Sequence, residues 1–368
     1  MKKALIVDDS LTAREYLKYI LHASGDFQVV GMAEDGEEAI EKVKLTHPDV
    51  VIMDFYMPKM NGNEATRKIM ESYPVPIVAV SATWTPEVVG EAFKAMEAGA
   101  VAAVGKPRGS IDSGYEDSVP KFVQTVRLMS EIKVVRRIAK YHKSEESSEE
   151  SPKDHASKRV QVIEPRADIS HVDIVAIGAS TGGPPVIENI LSGLSRKFPV
   201  PILIVQHISQ GFLEGMVEWL SRNVQIPVLI PKDRDSIASG HVYFAPCGHH
   251  MGVTQKGDKI VLSKDPPEKS LRPAVSYLFR SVVSAFGEKA VGVLLTGMGA
   301  DGAAELKMMK DRGAVTIAQD KESSVVHGMP GEAIRLGGVN YVLPPKEIAS
   351  MLGRLVNRPR VLSHTSRD

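Results

Sequence analysis

The stretch Lys3-Ala4-Leu5-Ile6-Val7-Asp8-Asp9-Ser10-Leu11 decides the fold. A short apolar run ends in two carboxylates and a serine, and a helical period from Leu11 to His22 follows at once. Read outward from there, the unit repeats. Strands are expected at Lys3 to Val7, Gln28 to Ala33, Val50 to Met53, Ile77 to Ser81 and Val101 to Gly105. Between them, helical spacing covers Leu11 to His22, Gly36 to Thr46, Asn63 to Ser72 and Pro86 to Ala98, and it resumes near Glu116 toward Tyr141. β-Rich runs alternating with amphipathic segments predict a parallel sheet with helices on both faces.

The rhythm breaks at Lys143-Ser144-Glu145-Glu146-Ser147-Ser148-Glu149-Glu150-Ser151-Pro152-Lys153-Asp154-His155, where apolar residues give way to charge, serine and proline. That composition predicts a flexible linker, either a hinge or a passive tether. From Val172 the βα alternation returns. Strands are expected at Asp173 to Ile177, Ile202 to Gln206, Val228 to Ile230, Val242 to Ala245, Ile260 to Ser263, Val291 to Leu295 and Val315 to Ala318. Helices fit Pro185 to Leu194, Leu213 to Arg222, Ala274 to Ala285 and Ala303 to Arg312. The chain therefore divides into residues 1–125, a five-stranded parallel (βα)5 domain; 126–170, a helical extension and charged linker; 171–357, a doubly wound, mostly parallel α/β domain; and 358–368, a tail.

Composition narrows the function classes. The 368 residues carry 45 basic and 45 acidic side chains, 43% hydrophobic residues and one cysteine. A lone Cys247 forms no internal disulfide, and the N-terminus reaches Asp8 before a signal-peptide core can form, so a soluble cytoplasmic protein is expected. No apolar stretch approaches the roughly 18 residues that span a bilayer, and zero net charge disfavours coating of nucleic acid. The zero is uneven: residues 1–125 hold 13 basic and 19 acidic side chains, 126–170 hold 10 and 8, and 171–368 hold 22 and 18. An acidic front domain is expected to rest on a mildly basic back domain.

Asp8 and Asp9 follow the first expected strand, Asp54 the third, Ser81 ends the fourth and Lys106 follows the fifth. In open α/β sheets that edge is where ligands sit. Clustered carboxylates repel one another unless a cation intervenes, and Mg²⁺ favours a few carboxylate oxygens with water and a phosphoryl group. Asp54 is then placed to attack a phosphoryl donor, with Lys106 and Ser81 on the phosphoryl oxygens. Taken singly, each aspartate is as well explained as a turn or helix-cap carboxylate. Five suitable residues at strand ends in register are much harder to obtain by accident.

Asp8-Asp9-Ser10, Asp54-Phe55-Tyr56-Met57-Pro58-Lys59-Met60-Asn61-Gly62, Ser81-Ala82 and Lys106-Pro107 resemble the receiver domain of response regulators. The resemblance implies phosphorylation at Asp54, Mg²⁺ held by Asp8, Asp9, Asp54 and the Tyr56 carbonyl, and phosphate sensing by Ser81 and Lys106. Ala103 departs from the family, which usually places an aromatic switch residue there.

In the back domain, Gly178-Ala179-Ser180-Thr181-Gly182-Gly183 follows a strand and opens a helix at Pro184-Pro185. Such a loop either cradles a dinucleotide phosphate or exposes a nucleophilic serine. A dinucleotide site wants an acid at the end of the next strand; this chain has Gln206-His207. A hydrolase wants a base there, and a glycine-rich loop, Thr296-Gly297-Met298-Gly299-Ala300-Asp301-Gly302, adds an acid on the same sheet edge. Ser180 would attack an ester, His207 would take its proton, Asp301 would orient the imidazole, and amides near Thr181 and Met298 would hold the oxyanion. Losing one oxyanion donor typically costs about 3 kcal/mol. Plainer roles exist for each: Ser180 or Asp301 as helix caps, His207 as a core histidine, with His241, His249, His250 and His327 as competing bases.

Ala176 to Gly183, Gln206-His207, Gly211-Phe212, Ala245-Pro246, Arg272-Pro273-Ala274-Val275, Leu295 to Gly302 and Gly328-Met329-Pro330 resemble the catalytic domain of the CheB family of chemotaxis methylesterases. That family joins receiver, linker and esterase in this order. It implies Ser180 as nucleophile, His207 as base, Asp301 as orienter, Thr181 and Met298 backbone groups at the oxyanion, and no cofactor at the esterase site. It also implies hydrolysis of glutamate γ-methyl esters on chemoreceptor helices with release of methanol, deamidation of glutamines by some members, a histidine kinase as phosphodonor, and a receiver that covers the active site until Asp54 is phosphorylated. Ile208, Cys247-Gly248, Ser276 and His327 depart from the family's usual residues. Two other readings stay open: a non-catalytic nucleotide-binding output module, and an esterase for another substrate.

Overall fold

The computed structural model describes residues 1–83, 85–107, 115–132, 134, 171–208 and 211–357. The expected linker at Lys143 to His155 and the tail at 358–368 lie outside the described residues.

The front domain runs β1 (Lys2–Val7), α1 (Leu11–Ala23), β2 (Phe27–Ala33), α2 (Gly36–Thr46), β3 (Val50–Asp54), α3 (Gly62–Ser72), β4 (Ile77–Ser81), α4 (Pro86–Ala98), β5 (Ala102–Gly105) and α5 (Tyr115–Met129). Its sheet has the order β2-β1-β3-β4-β5, and every pairing is parallel. β3 and β4 are buried along their whole length, as expected for central strands covered on both faces. Local caps fix the helix starts: Asp35 accepts from the amides of Glu37 and Glu38, and Thr85 precedes Pro86 at the first position of α4. α5 continues through residue 125 and ends at Met129; residues 133 and 135–141 of the expected extension lie outside the described residues.

The back domain contains β6 (Ile174–Ala179), α6 (Gly183–Ser192), β7 (Ile202–Gln206), α7 (Phe212–Asn223), β8 (Val228–Leu229), β9 (Val242–Phe244), β10 (His250–Val253), β11 (Ile260–Ser263), α8 (Val275–Phe286), β12 (Ala290–Leu294), α9 (Ala303–Asp311), β13 (Val315–Gln319), α10 (Met329–Arg335), β14 (Tyr341–Leu343) and α11 (Pro345–Val356). Seven strands pair in the order β14-β13-β12-β6-β7-β9-β8, all in parallel. β6 alternates its side chains between two cores: Val175 and Ile177 face α6, α7 and α11, while Ile174 and Ala176 face α8, α9 and α10. The sheet is therefore doubly wound. Ile260 to Ser263 is not part of it; this strand pairs antiparallel with β10, a strand the apolar pattern did not announce.

The two domains meet through α4, which packs on α7 and α6. Phe93 stacks on Trp219, with ring centroids 4.0 Å apart and planes 8° from parallel, and lies 5.6 Å from Phe212. Val89 fills space that exists because residue 215 is glycine; a Cβ there would come within 2.6 Å of the valine. At a second contact, Val325 and Val326 pack against the front-domain core that includes Phe122, Val126 and Met129. The expected meeting of acidic and basic surfaces is thus replaced by apolar and aromatic packing. Charge is mixed here: Glu87 and Arg222 attract, whereas burial and the nearby Glu188 push the Glu97 carboxyl above its ordinary range.

Candidate active site and phosphoacceptor pocket

β6 lies between β12 and β7, so the loops leaving these three strands converge at one sheet edge. Ser180 follows β6, and its amide donates to the Thr296 carbonyl beyond β12 at 3.0 Å. On the other side, the His207 amide donates to the carbonyl of Ala179 at 3.0 Å. The loop from 296 presses directly on the serine: a Cβ on Gly297 would come 2.7 Å from Ser180 Cβ, so only glycine fits. Gly182, with φ +76°, turns the chain into α6 where Val325 leaves no room for a side chain.

His207 Nε2 lies 2.9 Å from Asp301 Oδ2. Asp301 is 2% exposed, yet it is held as an anion. Burial alone would raise its carboxyl; hydrogen bonds from His207 and Ser276, the charge of His207 and the Val275 amide outweigh that and bring it down to about 2. The amides of Val275 and Ser276 donate to its two oxygens at 2.7 and 3.0 Å, and the Ser276 hydroxyl adds a third donor. These amides open α8, so the carboxylate also sits at a helix N-terminus. The expectation that Asp301 might simply cap its own helix is replaced: α9 has Gly302 at its cap with no side-chain bond, and Asp301 serves α8 from across the fold. Since an ionised carboxylate only accepts, the Nε2 hydrogen points to Asp301 and Nδ1 carries the free lone pair.

Ser180 is not a helix cap either; Gly182 holds that place in α6 without a side-chain bond. Among the described residues the Ser180 hydroxyl has no hydrogen-bond partner, and none is recorded between it and His207. The backbone amides of Thr181 and Met298 likewise donate to no described residue. The competing histidines are engaged elsewhere: His241 with the Ser239 carbonyl, His249 with that of Cys247, His250 with that of Pro266, and His327 with the Ser324 hydroxyl. The nucleotide-binding reading is not favoured. The next strand ends in Gln206, whose amide nitrogen is committed to the carbonyls of Ser180 and His207.

At the front-domain edge, one carboxylate oxygen each from Asp8, Asp9 and Asp54 lie within 4.8 Å of one another. Lys106 Nζ is 2.6 Å from Asp8 Oδ2 and 3.0 Å from Asp54 Oδ1. The Asp8 carboxylate is fully buried, and Lys106 is its cationic partner. Burial raises the Asp54 carboxyl, Lys106 opposes this, and Asp8 and Asp9 add to the rise, which wins. Such a set fits a divalent cation: three carboxylate oxygens converge and one lysine offsets one of three carboxylates. The Ser81 hydroxyl, 5% exposed as a residue, donates to the Thr83 carbonyl at 2.9 Å rather than into this cluster.

Residues 4–132 match the family model of the response regulator receiver domain, and residues 175–352 match that of CheB methylesterase. A protein-glutamate methylesterase/protein-glutamine glutaminase of Geobacter metallireducens is 50% identical over 355 residues, 96% of this chain and 99% of the relative. One from Nitrosospira multiformis is 49% identical, covering 97% of both chains, and one from Syntrophus aciditrophicus is 49% identical over 96% of this chain and 98% of its own. The chain belongs to the CheB methylesterase family.

Within that family, the departures seen in the sequence acquire locations. Ser276 is a direct partner of Asp301. Ile208 and Cys247 touch, the cysteine sulfur lying 3.9 Å from the Ile208 carbonyl, and burial pushes that thiol up to about 11, an inert group. His327 bridges to Gly297 in the loop that carries Met298. The Gln206 bond to Ser180 and the Ser276 bond to Asp301 join side chains to partners 26 and 25 residues away, and no local pattern announces them.

Proposed function

We propose that this chain is a phosphorylation-controlled protein-glutamate methylesterase that hydrolyses γ-methyl esters on the cytoplasmic helices of chemoreceptors. The observation that carries the reading is the ionised Asp301 paired with His207 beside Ser180, with the amides of Thr181 and Met298 without partners among the described residues.

Ser180 Oγ attacks the ester carbonyl carbon while His207 Nδ1 takes its proton. The carbonyl oxygen becomes an oxyanion that receives the Thr181 and Met298 amides. His207 returns the proton to the departing methoxide, giving methanol and an acyl-serine. Water then adds, His207 taking its proton, and collapse frees the glutamate carboxylate and Ser180. Throughout, Asp301 fixes the tautomer and stabilises the imidazolium. A glutamine side chain would follow the same course with ammonia leaving, the glutaminase activity in the names of the relatives. The esterase site needs no cofactor for these steps.

Asp54 is the proposed phosphoacceptor, with a histidine kinase as donor. Asp8, Asp9, Asp54 and the Tyr56 carbonyl would hold Mg²⁺, which when bound offsets phosphoryl and carboxylate charge. Lys106, already against Asp54, and Ser81 would read the phosphate. α4 packs on the two helices launched from the Ser180 and His207 loops, which supports a receiver that restrains access to the esterase until Asp54 is modified. Among the described residues no helix is long and apolar enough to cross a membrane. We take the chain to act in the cytoplasm on receptors from that side, without nucleic acid and without inserting.

Methylated receptor membranes incubated with the protein should release methanol. Ser180→Ala should lower the rate by at least about 10³-fold while the far-UV spectrum and Asp54 phosphorylation persist. Undiminished release by that variant would remove Ser180 from the reaction.

A further inference from the structure

Gln206 ends β7 and is 3% exposed. Its amide nitrogen donates to two carbonyls, those of Ser180 and His207, each at 2.8 Å. These carbonyls belong to the nucleophile and the base of the reaction proposed above. We infer that Gln206 is a positioning residue that sets the separation of the Ser180 and His207 loops, an inference that rests on the esterase reading.

The parallel ladder between β6 and β7 ends at the pair Ala179 and Gln206, and the His207 amide makes one more bond to Ala179. Past that point the chain diverges into α6 and α7. Among the described residues, the Gln206 to Ser180 bond is the one hydrogen bond joining 180–183 to 206–208. The orientation of the amide is fixed, since the flipped form would set its oxygen against two carbonyl oxygens.

The other end of the side chain argues against a filler role. Among the described residues, Gln206 Oε1 is buried and without a partner. It lies where a Cβ on Gly183 would be 2.1 Å away. An unsatisfied buried acceptor weakens a fold, and a methionine of similar length would avoid the loss. The amide is explained by its two donated hydrogens. Because Ser180 and His207 are not hydrogen-bonded to each other in this state, the loop separation decides whether they meet, and a misplacement of about 1 Å costs on the order of 10²-fold in rate.

Two variants of the full-length protein test this. Gln206→Met removes both donors at similar length; it should lower kcat for methanol release about 10- to 100-fold, leave KM within about twofold, and slow Ser180 labelling by a fluorophosphonate equally. Gln206→Glu restores a donor only when protonated, and burial favours the protonated form. The rate of Gln206→Glu relative to Gln206→Met, or relative to wild type if the methionine variant does not fold, should therefore rise as pH falls from 8 to 5.5. A merely structural side chain would give a constant ratio. Wild-type kcat in Gln206→Met, or a ratio flat with pH, overturns the inference. The underlying reading is checked separately: if Ser180→Ala still labels and turns over, that reading fails, whereas an inactive Ser180→Ala beside a normal Gln206→Met removes only the role of Gln206.

Discussion

Asp54 and Asp301 are the same residue type, both buried near the carboxyl edge of a parallel sheet, one ending β3 and the other in the loop beyond β12, and their surroundings push them in opposite directions. Around Asp54 stand two further carboxylates and one lysine, and the carboxyl is raised. Around Asp301 stand two helix-opening amides, a hydroxyl and an imidazole, and the carboxyl is held at about 2. The first environment is short of positive charge; the second is complete as it stands. Burial raises both carboxyls; at Asp301 the donors outweigh it, and at Asp54 a single lysine facing two further carboxylates does not.

The sharpest way to break this comparison is to make the same change in both. Asp301→Asn keeps the shape but can no longer fix the Nε2–H tautomer, so methanol release should fall about 10⁴-fold. Asp54→Asn should abolish formation of the acid-stable, base-labile acyl phosphate and its stimulation of the esterase, while unstimulated methanol release persists. Release at the wild-type rate from Asp301→Asn would show that His207 is oriented by something else. Persistent phosphate labelling of Asp54→Asn would move the acceptor to another residue.

A smaller effect tests how the two edges communicate. Ala103 occupies the usual place of the receiver's switch aromatic, and the aromatic group that joins the domains is Phe93 on α4, stacked on Trp219. Aromatic pairs contribute about 0.5–1.5 kcal/mol beyond their buried area, and 1.4 kcal/mol is tenfold in an equilibrium. Phe93→Ala should therefore raise methanol release without a phosphodonor by up to about tenfold and shrink the further gain on phosphorylation. An unchanged ratio of stimulated to basal rate would separate this contact from control of the active site.

Much of this architecture was legible in the sequence. Ile77–Ser81 and Ile202–Gln206 have the expected boundaries because continuous apolar runs bounded by polar residues are unambiguous in a buried parallel sheet. β10 escaped notice because it is four residues long, starts with a histidine and contains Gly252, although the turn at Gly257, with φ +71°, was a readable hairpin signal. α11 was also readable, with Pro345 at its start and Ile348, Met351, Leu352 and Leu355 at helical spacing. What local patterns do not contain is tertiary pairing. His207 and Asp301 are 94 residues apart; the strand pattern set both on one sheet edge, but only the family resemblance chose His207 over the competing histidines. The free amides of Thr181 and Met298 are backbone groups, which any residue type supplies. The acidic and basic halves suggested electrostatic docking, but net charge says nothing of which helix faces meet, and the faces that do are apolar.

The smallest effect isolates the donor count itself. Ser276→Ala deletes one hydroxyl from Asp301 and leaves both amides. The folded Asp301 carboxyl, at about 2, is depressed from an ordinary value of 3.8, so its ionisation adds stability that is fully present above about pH 4 and is lost as pH falls toward 2. At about 1.4 kcal/mol per pH unit, the whole effect amounts to about 2 kcal/mol, of which one hydroxyl carries a part. The variant's carboxyl should titrate higher, nearer to 3.8. Thermal unfolding of the intact chain should then show Ser276→Ala less stable by about 1 kcal/mol at pH 7, with the difference from wild type shrinking between pH 4 and pH 2, where both forms become protonated. A difference that stays constant through that window would mean that the hydroxyl stabilises the fold by packing and not by holding a charge. Asp301 would then owe its anionic state to the α8 amides and His207, and the contrast with Asp54 would rest on the backbone.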